Sequence, residues 1–136
     1  MNLLVLLAAD YANLTGDGKL NVMGVFQEIN ATHFPARHPA MHVVIKLGAD
    51  LGEYGQVRDL SLRLVDPDGN EIVNITGPVQ IPEGRGGRKP EVNAILQLRD
   101  IVFQKPGPYQ LVVLVDKDYK GSLALYVNKV EPSKTD

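Results

Sequence analysis

Oxygen-bearing side chains recur at alternate positions in two predicted turns of this 136-residue chain. Asp66, Asp68 and Asn70 have the spacing with which a calcium-binding loop begins. Asp116 and Asp118 repeat that spacing further along the chain. Both segments are also ordinary turn sequences, because Asp accepts backbone hydrogen bonds where a chain reverses. We prefer the turn interpretation, since strands that alternate in direction would place the two turns at opposite ends of the protein.

The three histidines, His33, His38 and His42, fall in one short segment. Imidazoles this close in sequence can bind zinc or a later transition metal. Their spacing is not that of a common zinc motif, and Pro35 and Pro39 break any helix that would align them. We therefore expect solvated or backbone-bonded imidazoles, and a metal site is the alternative.

A glycine-rich stretch carries three basic side chains, Arg85, Arg88 and Lys89. Backbone N–H groups and guanidinium groups in such a loop can bind a phosphate or a carboxylate. The stretch lacks the Gly-Lys-Ser/Thr ending of a phosphate-binding P-loop. A solvated, flexible loop is the ordinary interpretation of so much glycine. Among ligand sites, an anion site here is nevertheless the first choice.

Evidence for catalysis is weak in this sequence. There is no cysteine, and Ser61, Ser122 and Ser133 do not lie in a Gly-x-Ser-x-Gly elbow. Carboxylates such as Glu53 and Asp59 can act as acid and base only if the fold brings them together. We expect no cofactor and a protein that is not an enzyme. A metal-assisted hydrolase built on carboxylates and histidines is the third alternative.

The elements that would position these residues are strands, and the clearest pair spans residues 59–76. Leu60, Leu62 and Leu64 alternate with polar residues, which predicts a strand with one face in the core. Pro67-Asp68-Gly69 then predicts a tight turn. The sequence therefore predicts a β-hairpin, although adjacent Ile72 and Val73 leave the facing of its second strand open.

Other strands are predicted on both sides of this hairpin. The continuous apolar run of residues 3–14 indicates a strand buried on both faces near the middle of a sheet. Gly24, inside the next strand, indicates a bulge or a close backbone approach. A last strand contains alternating Leu123, Leu125 and Val127. The remaining predicted strands are 20–29, 41–47, 92–103, with an irregularity at Arg99-Asp100, and 109–115.

Two connections differ from simple turns. Residues 30–40 contain Pro35 and Pro39, so the chain is expected to cross between sheets or run along an edge there. Residues 77–90 form the longest irregular stretch, which is expected to be mobile or in contact with a partner.

No window has a sustained helical period, and turn signals recur roughly every 10–15 residues. The sequence predicts an all-β, single-domain antiparallel β-sandwich of about eight strands with Greek-key connections. The domain is expected to span residues 1–130, and residues 131–136 are expected to form a polar tail.

Composition limits the partners and the location. The formal net charge of −2 is spread along the chain, which argues against nucleic acid as a partner. The apolar start has no preceding Lys or Arg and is too short to span a bilayer, so we expect neither a signal peptide nor a membrane segment. With no cysteine present, a reducing cytoplasm is the simplest location.

Several motifs together resemble a group of short, uncharacterised bacterial proteins. The resemblance covers most of the chain and implies a bacterial cytoplasmic β-sandwich without an established activity, so it assigns no functional residues. The motifs are Ala-Asp-Tyr-Ala (9–12), Gly-Lys-Leu-Asn-Val (18–22), Phe-Pro-Ala (34–36), Asp-Pro-Asp-Gly (66–69) and Pro-Gly-Pro-Tyr (106–109).

The Pro-Gly-Pro-Tyr segment is also similar to the closing strands of immunoglobulin-like domains. In those domains a tyrosine hydrogen-bonds back to the main chain at a corner. The similarity implies that role for Tyr109 and concerns the fold alone. The paired acidic turns resemble those of a C2-like sandwich instead.

The absence of a catalytic constellation predicts a non-enzymatic interaction or assembly module. The partner would be another protein or a second copy of the chain, and the apolar terminal strands favour a homo-oligomer. The alternative from another class is a domain that binds a small anion or calcium.

Overall fold

The structure is a computed structural model that describes residues 1–132. These residues form nine strands and one short 3-10 helix, and no helix among them is long and apolar enough to cross a membrane. The strands are β1 (Asn2–Leu14), β2 (Leu20–Phe26), β3 (Glu28–Ala31), β4 (Ala36–Gly48), β5 (Val57–Val65), β6 (Glu71–Gln80), β7 (Glu91–Phe103), β8 (Gly107–Val115) and β9 (Asp118–Lys129), and the 3-10 helix is Leu51–Glu53.

The strands form two sheets. One has four strands in the order β2-β1-β4-β7, and the other has five in the order β3-β9-β8-β5-β6. All neighbours are antiparallel except β3 and β9, which are parallel. The all-β, two-sheet architecture predicted from the sequence is confirmed, and the parallel pair is an exception to the predicted antiparallel pattern. The predicted tail lies partly outside the described residues, at 133–136.

The two sheets share one hydrophobic core. The predicted inward leucines, Leu60, Leu62 and Leu64, are at most 4% exposed, which confirms the period-2 assignment of β5. β4 and β8 contribute Val43 and Leu111 from the two sheets, and both are fully buried. In β6 the inward residue is Val73, which packs against the core, whereas Ile72 faces outward.

The predicted strand 20–29 is wrong, because the chain changes sheets at Gln27. β2 ends at Phe26 in one sheet, and β3 begins at Glu28 in the other. The Gln27 side chain donates a 3.1 Å hydrogen bond to the backbone carbonyl of Ala124 on β9. This division is one reason why the structure has nine strands where the sequence predicts about eight.

Residues 32–35 cross from β3 to β4, so a crossing between sheets is confirmed, but the predicted crossing through residue 40 is too long. Pro39 lies inside β4, beyond the last pair with β1, Ala9 with His42. Its missing N–H therefore breaks no bond to that neighbour. The predicted strand 41–47 accordingly begins earlier, at Ala36.

β4 and β7 share an irregularity beside Pro39. His38 pairs with Ile101 and Met41 pairs with Leu98, and the two pairs lie on the same, inner side of the sheet. Two residues therefore separate consecutive inward positions on each strand. Asp100 has a positive φ of 54°, which confirms the irregularity predicted at Arg99-Asp100.

The predicted irregular stretch 77–90 is wrong at its start. β6 continues to Gln80 because residues through that position pair with β5. The following loop is tied to the protein at its first residue, Ile81, which is 1% exposed. The Ile81 N–H donates to the carbonyl of Gln56, and its carbonyl accepts from the N–H of Gly55, both at 3.0 Å.

Candidate functional site

The Asp66 turn uses its side-chain oxygens to close the β5–β6 hairpin. Asp66 Oδ1 accepts hydrogen bonds from the backbone N–H groups of Asp68 and Asn70, at 2.9 and 2.8 Å. The pKa of Asp66 is lowered, mainly by the hydrogen bond that its carboxylate accepts from the Asn70 N–H. The Asp68 carboxylate forms an ion pair with Lys105. The predicted calcium ligands Asp66, Asp68 and Asn70 thus lie together, in contacts that an Asx turn and an ion pair account for.

The second acidic turn lies at the other end of the same sheet. Val65, next to the first turn, pairs with Gln110, whereas Leu60 pairs with Val115, next to Asp116. The prediction that the two turns lie at opposite ends is therefore confirmed. The two turns cannot share one ion.

Asp116 belongs to a charged network that joins β5, β8 and the 3-10 helix. Its carboxylate accepts a 2.9 Å bond from the Asp59 N–H and a 3.0 Å bond from Arg58 Nη1. Arg58 Nη2 also donates to Glu53 Oε1, at 3.1 Å. The pKa of Asp116 is lowered, first by the Asp59 N–H and then by Arg58. The pKa of Glu53 is lowered mainly by the N–H of Asp50.

The predicted histidine cluster is divided between the two faces of the four-stranded sheet. His42 lies on the outer face, where its ring packs edge-on against Tyr11 with centroids 5.2 Å apart. His42 Nδ1 is 3.2 Å from the backbone carbonyl of Asp10. His38 pairs with the core residue Ile101 and so faces inward. His33 is exposed in the crossing between β3 and β4.

The inward His38 borders a cavity of about 250 Å³ that Asp10 and Glu28 also line. Its ring lies 5.8 Å from that of Phe26, and its Nε2 is buried without a hydrogen-bond partner. Within residues 1–132, no three or more His, Cys, Asp or Glu side chains are grouped so that they could hold a metal ion. The metal site at His33, His38 and His42 stays a prediction.

The predicted anion loop folds back on itself. The Arg88 N–H donates to the Arg85 carbonyl at 3.0 Å. Lys89 lies 3.4 Å from the carboxylate of Asp50, and both side chains are largely exposed. Arg85, Arg88 and Lys89 thus lie in one exposed loop, where one of the three cations already has a carboxylate neighbour. The anion site stays a prediction.

A large apolar surface lies on the outer side of the four-stranded sheet, which we call the open face. Ala8, Val43 and Ile45 point into the core, so the alternate residues of β1 and β4 point outward. The apolar side chains of the open face are Val5, Leu7, Ala9, Tyr11, Met23, Val25, Val44 and Ile95.

The open face has a deep centre and raised, exposed sides. Ala9 and Val44 are 0% exposed although they point away from the core. On β2, Met23 and Val25 are 65% and 55% exposed, and Tyr11 on β1 is 48% exposed. The exposed apolar side chains of the open face thus lie toward β2, beside the buried Ala9 and Val44.

The central rows of the open face carry no Asp, Glu, Lys or Arg side chain, and their one ionisable side chain is His42. One row consists of Val25, Ala9, His42 and Gln97, and the next of Leu7, Val44 and Ile95. Toward one end of the face, Lys46 Nζ lies 3.0 Å from a carboxylate oxygen of Glu91. The apolar surface is therefore free of unpaired charge at its centre.

A comparison of the sequence with protein-family models places this fold in a family. The model of a family of unknown function, DUF6941, matches residues 4–128. The chain belongs to the DUF6941 family. This agrees with the uncharacterised family that the motifs indicated, and it assigns no activity. No curated protein and no solved structure matches the chain.

The open face was not predicted, although the continuous apolar run of β1 indicates an apolar side chain on each side of this strand. The apolar run 3–14 predicted burial on both faces, and β1 does lie inside a sheet between β2 and β4. On its outer side the structure fully covers Ala9 alone among the apolar residues, because Tyr11 is 48% exposed and Val5 and Leu7 are half-buried. The prediction of two buried faces is wrong for the single chain.

Proposed function

We propose that this DUF6941 protein is a non-enzymatic assembly module that associates with a second copy of itself through the open face. The observation that carries the proposal is β1, which is apolar on both sides although much of its outer side is exposed or only partly buried. An apolar face of this kind on a water-exposed surface is typical of a protein contact site. A second copy would supply the missing cover.

The size of the open face supports this occupant. β1, β4 and β7 have 13 residues each and β2 has 7. With about 3.3 Å per residue and about 4.8 Å between strands, the sheet presents roughly 700 Å² on this side. A stable protein–protein interface buries about 800 Å² per partner. The whole outer side of the sheet, with its polar ends, is thus close to the area that a dimer needs, and the open face is its central part.

Its chemistry also suits pairing with an identical surface. A twofold dimer brings the same patch of each copy into contact, so charges at the centre would meet like charges. The central rows of the open face contain no Asp, Glu, Lys or Arg. Tyr11 and Met23, which face each other across β1 and β2, are residue types enriched at interface centres.

Sedimentation velocity tests the proposal directly. We expect the full chain to sediment as a dimer at micromolar concentration. Val25→Asp places a charge on the open face at a residue that is 55% exposed, so the monomer tolerates it. Because two such charges would be buried together, we expect the dimer to weaken at least tenfold.

The matched control is Val57→Asp on the five-stranded sheet, at a residue that is 62% exposed. It makes the same chemical change on a strand and is expected to leave association unchanged. A wild-type chain that stays monomeric up to about 100 μM would contradict the proposal. Equal weakening by the two substitutions would contradict it too, because association would not depend on the open face.

Two finer points belong to the same proposal. We propose an immunoglobulin-like arrangement of the sheets, supported by the hydrogen bond from the Tyr109 hydroxyl to the Lys105 carbonyl. We also propose a cytoplasmic location, supported by the absence of cysteine.

A further inference from the structure

Along one side of the sandwich, between β6 and β7, the core is partly exposed to solvent. β6 and β7 are edge strands of different sheets, and where they face each other some of their core-facing side chains are only partly buried. Ile75 and Val79 on β6, and Ala94 and Leu96 on β7, all have intermediate exposure. By contrast, the core-facing Leu62 on the neighbouring strand β5 is 0% exposed. The core is therefore open to solvent along this side.

The opening is a cleft that follows both strands. One part has a volume of about 420 Å³ and lies between residues 72–75 of β6 and 97–102 of β7. The adjoining part, of about 220 Å³, lies between residues 75–79 and 94–96. Ile75 lines both parts, so they are continuous. Because residue numbers rise along β6 as they fall along β7, the two edges run in opposite directions.

Both walls of the cleft end in a free backbone edge. Among the described residues, β6 pairs only with β5, and β7 pairs only with β4. Alternate N–H and C=O groups of each edge strand therefore point toward the cleft side without a strand partner. An extended peptide satisfies such groups, whereas a helix satisfies its own and leaves them unpaired.

The two edges are not equivalent. Pro78 interrupts β6, because proline cannot donate a ladder hydrogen bond. β7 contains no proline in Glu91–Phe103. An added strand can therefore pair with residues 91–98 of β7 without meeting a proline or the irregularity at Asp100.

We propose that the cleft binds an extended segment of a partner protein, which adds to the edge of β7 as a new strand. Alternate side chains of that segment enter the cleft over Ile75, Leu96 and Leu98, so they must be apolar, and those between them face solvent. Asp100, at one end of the cleft, is paired with Arg37, and the neighbouring Arg99 donates a 3.1 Å hydrogen bond to Gln97. This site adjoins the open face along β7, where the two share Ile95 and Gln97, and it does not rest on self-association.

A synthetic nonapeptide of alternating Thr and Val with a Lys at each end serves as the probe. Its pattern fits a strand in either direction. Titrated into the 15N-labelled protein up to about 1 mM, it is expected to give saturable amide shifts along β6 and β7. The same peptide with N-methylated Val and Thr residues keeps the side chains and loses the backbone donors on both of its edges. We expect it to bind at least tenfold more weakly.

Two variants locate the site. Ile75→Lys places a charge in the cleft and is expected to weaken peptide binding at least tenfold. Asn74→Lys adds the same charge on the exposed side of β6 and is the control. The proposal is overturned if the peptide causes no shifts, if the shifts fall on β1 and β2 and not on β6 and β7, or if the N-methylated peptide binds equally well. All three of these outcomes are measured by titrating the two peptides into the wild-type chain, so the test remains decisive even if Ile75→Lys does not fold.

Discussion

The phenolic hydroxyl of Tyr109 donates a 2.7 Å hydrogen bond to the backbone carbonyl of Lys105. Tyr109 is 1% exposed, and its ring packs edge-on against Phe103 with centroids 4.9 Å apart. Burial raises the pKa of the Tyr109 phenol, so the hydroxyl stays protonated and keeps donating. The bond holds the chain where it turns from β7 into β8, as the Pro-Gly-Pro-Tyr motif predicts.

Removing this hydroxyl is expected to destabilise the protein. Tyr109→Phe keeps the buried ring but leaves the Lys105 carbonyl without its donor, at an expected cost of about 1–2 kcal/mol in the free energy of unfolding. Urea denaturation measures the loss. Tyr119→Phe is the control, because that hydroxyl bonds Ser122 at a residue that is 63% exposed. Equal losses in the two variants would show that the Tyr109 bond has no special role.

Shortening a side chain is expected to cost much more stability on the inward face of the hairpin than on its outward face. Leu62→Ala removes a side chain that is 0% exposed and leaves a cavity, so we expect a loss of about 2–5 kcal/mol. Ile72→Ala, on the outward side of β6, is expected to change stability by less than about 0.5 kcal/mol. The midpoints of denaturant unfolding, at equal dependence of the free energy on denaturant, compare the two variants. Similar losses of stability would contradict the inward facing of Leu62 and the outward facing of Ile72.

Gly24 is expected to be irreplaceable in β2 for two separate reasons. Its φ is +70°, and a Cβ there would lie 2.5 Å from Asp10 Oδ2. Gly18 has a φ of +86° with open space around it, and Gly16 has open space and no such φ. In thermal denaturation, Gly24→Ala is expected to destabilise the protein most, Gly18→Ala less and Gly16→Ala least. The strain of a positive φ alone, as in Gly18→Ala, is expected to cost about 1 kcal/mol. A neutral Gly24→Ala would contradict the close approach.

Acid is expected to destabilise the protein partly through Asp116. Its folded-state pKa is lowered, so the ionised form stabilises the fold. That contribution is complete above the ordinary carboxyl pKa of about 4 and is lost as the pH falls through the lower folded-state pKa.

Melting temperatures measured between about pH 6 and pH 2 test this assignment. Asp116→Asn keeps a residue that tolerates the positive φ of 49° and removes the charge. We expect its melting temperature to fall less on acidification than that of the wild type. Asp118→Asn, which removes an exposed carboxylate from the same turn, should follow the wild type. An unchanged acid response in Asp116→Asn would contradict the role of the ion pair.

Much of the fold was predictable because the strands follow a period of two. The leucines of β5 alternate without interruption, and Pro67-Asp68-Gly69 has an unambiguous turn chemistry. The change of sheet at Gln27 was not predictable in this way. No Gly or Pro adjoins Gln27, and apolar residues continue past it to Ile29, so only pairing with β9 ends one strand and begins another.

The candidate sites were less predictable, because side-chain facing depends on irregularities. His38 and His42 are an even number of residues apart, so a regular strand would place both on one face. The irregularity beside Pro39 reverses the facing of His38 and separates them. The open face and the cleft depend on which strands become neighbours and which become edges, and that information is not local to any motif.

Pro78 also affects edge-to-edge aggregation of the protein at high concentration. Identical edges of β6 that stacked in register would lose a ladder hydrogen bond at Pro78 in every copy. Growth of a filament by repeated addition at that edge is therefore opposed at each step. The protein can leave one side of its core accessible without offering β6 as a template for fibrils.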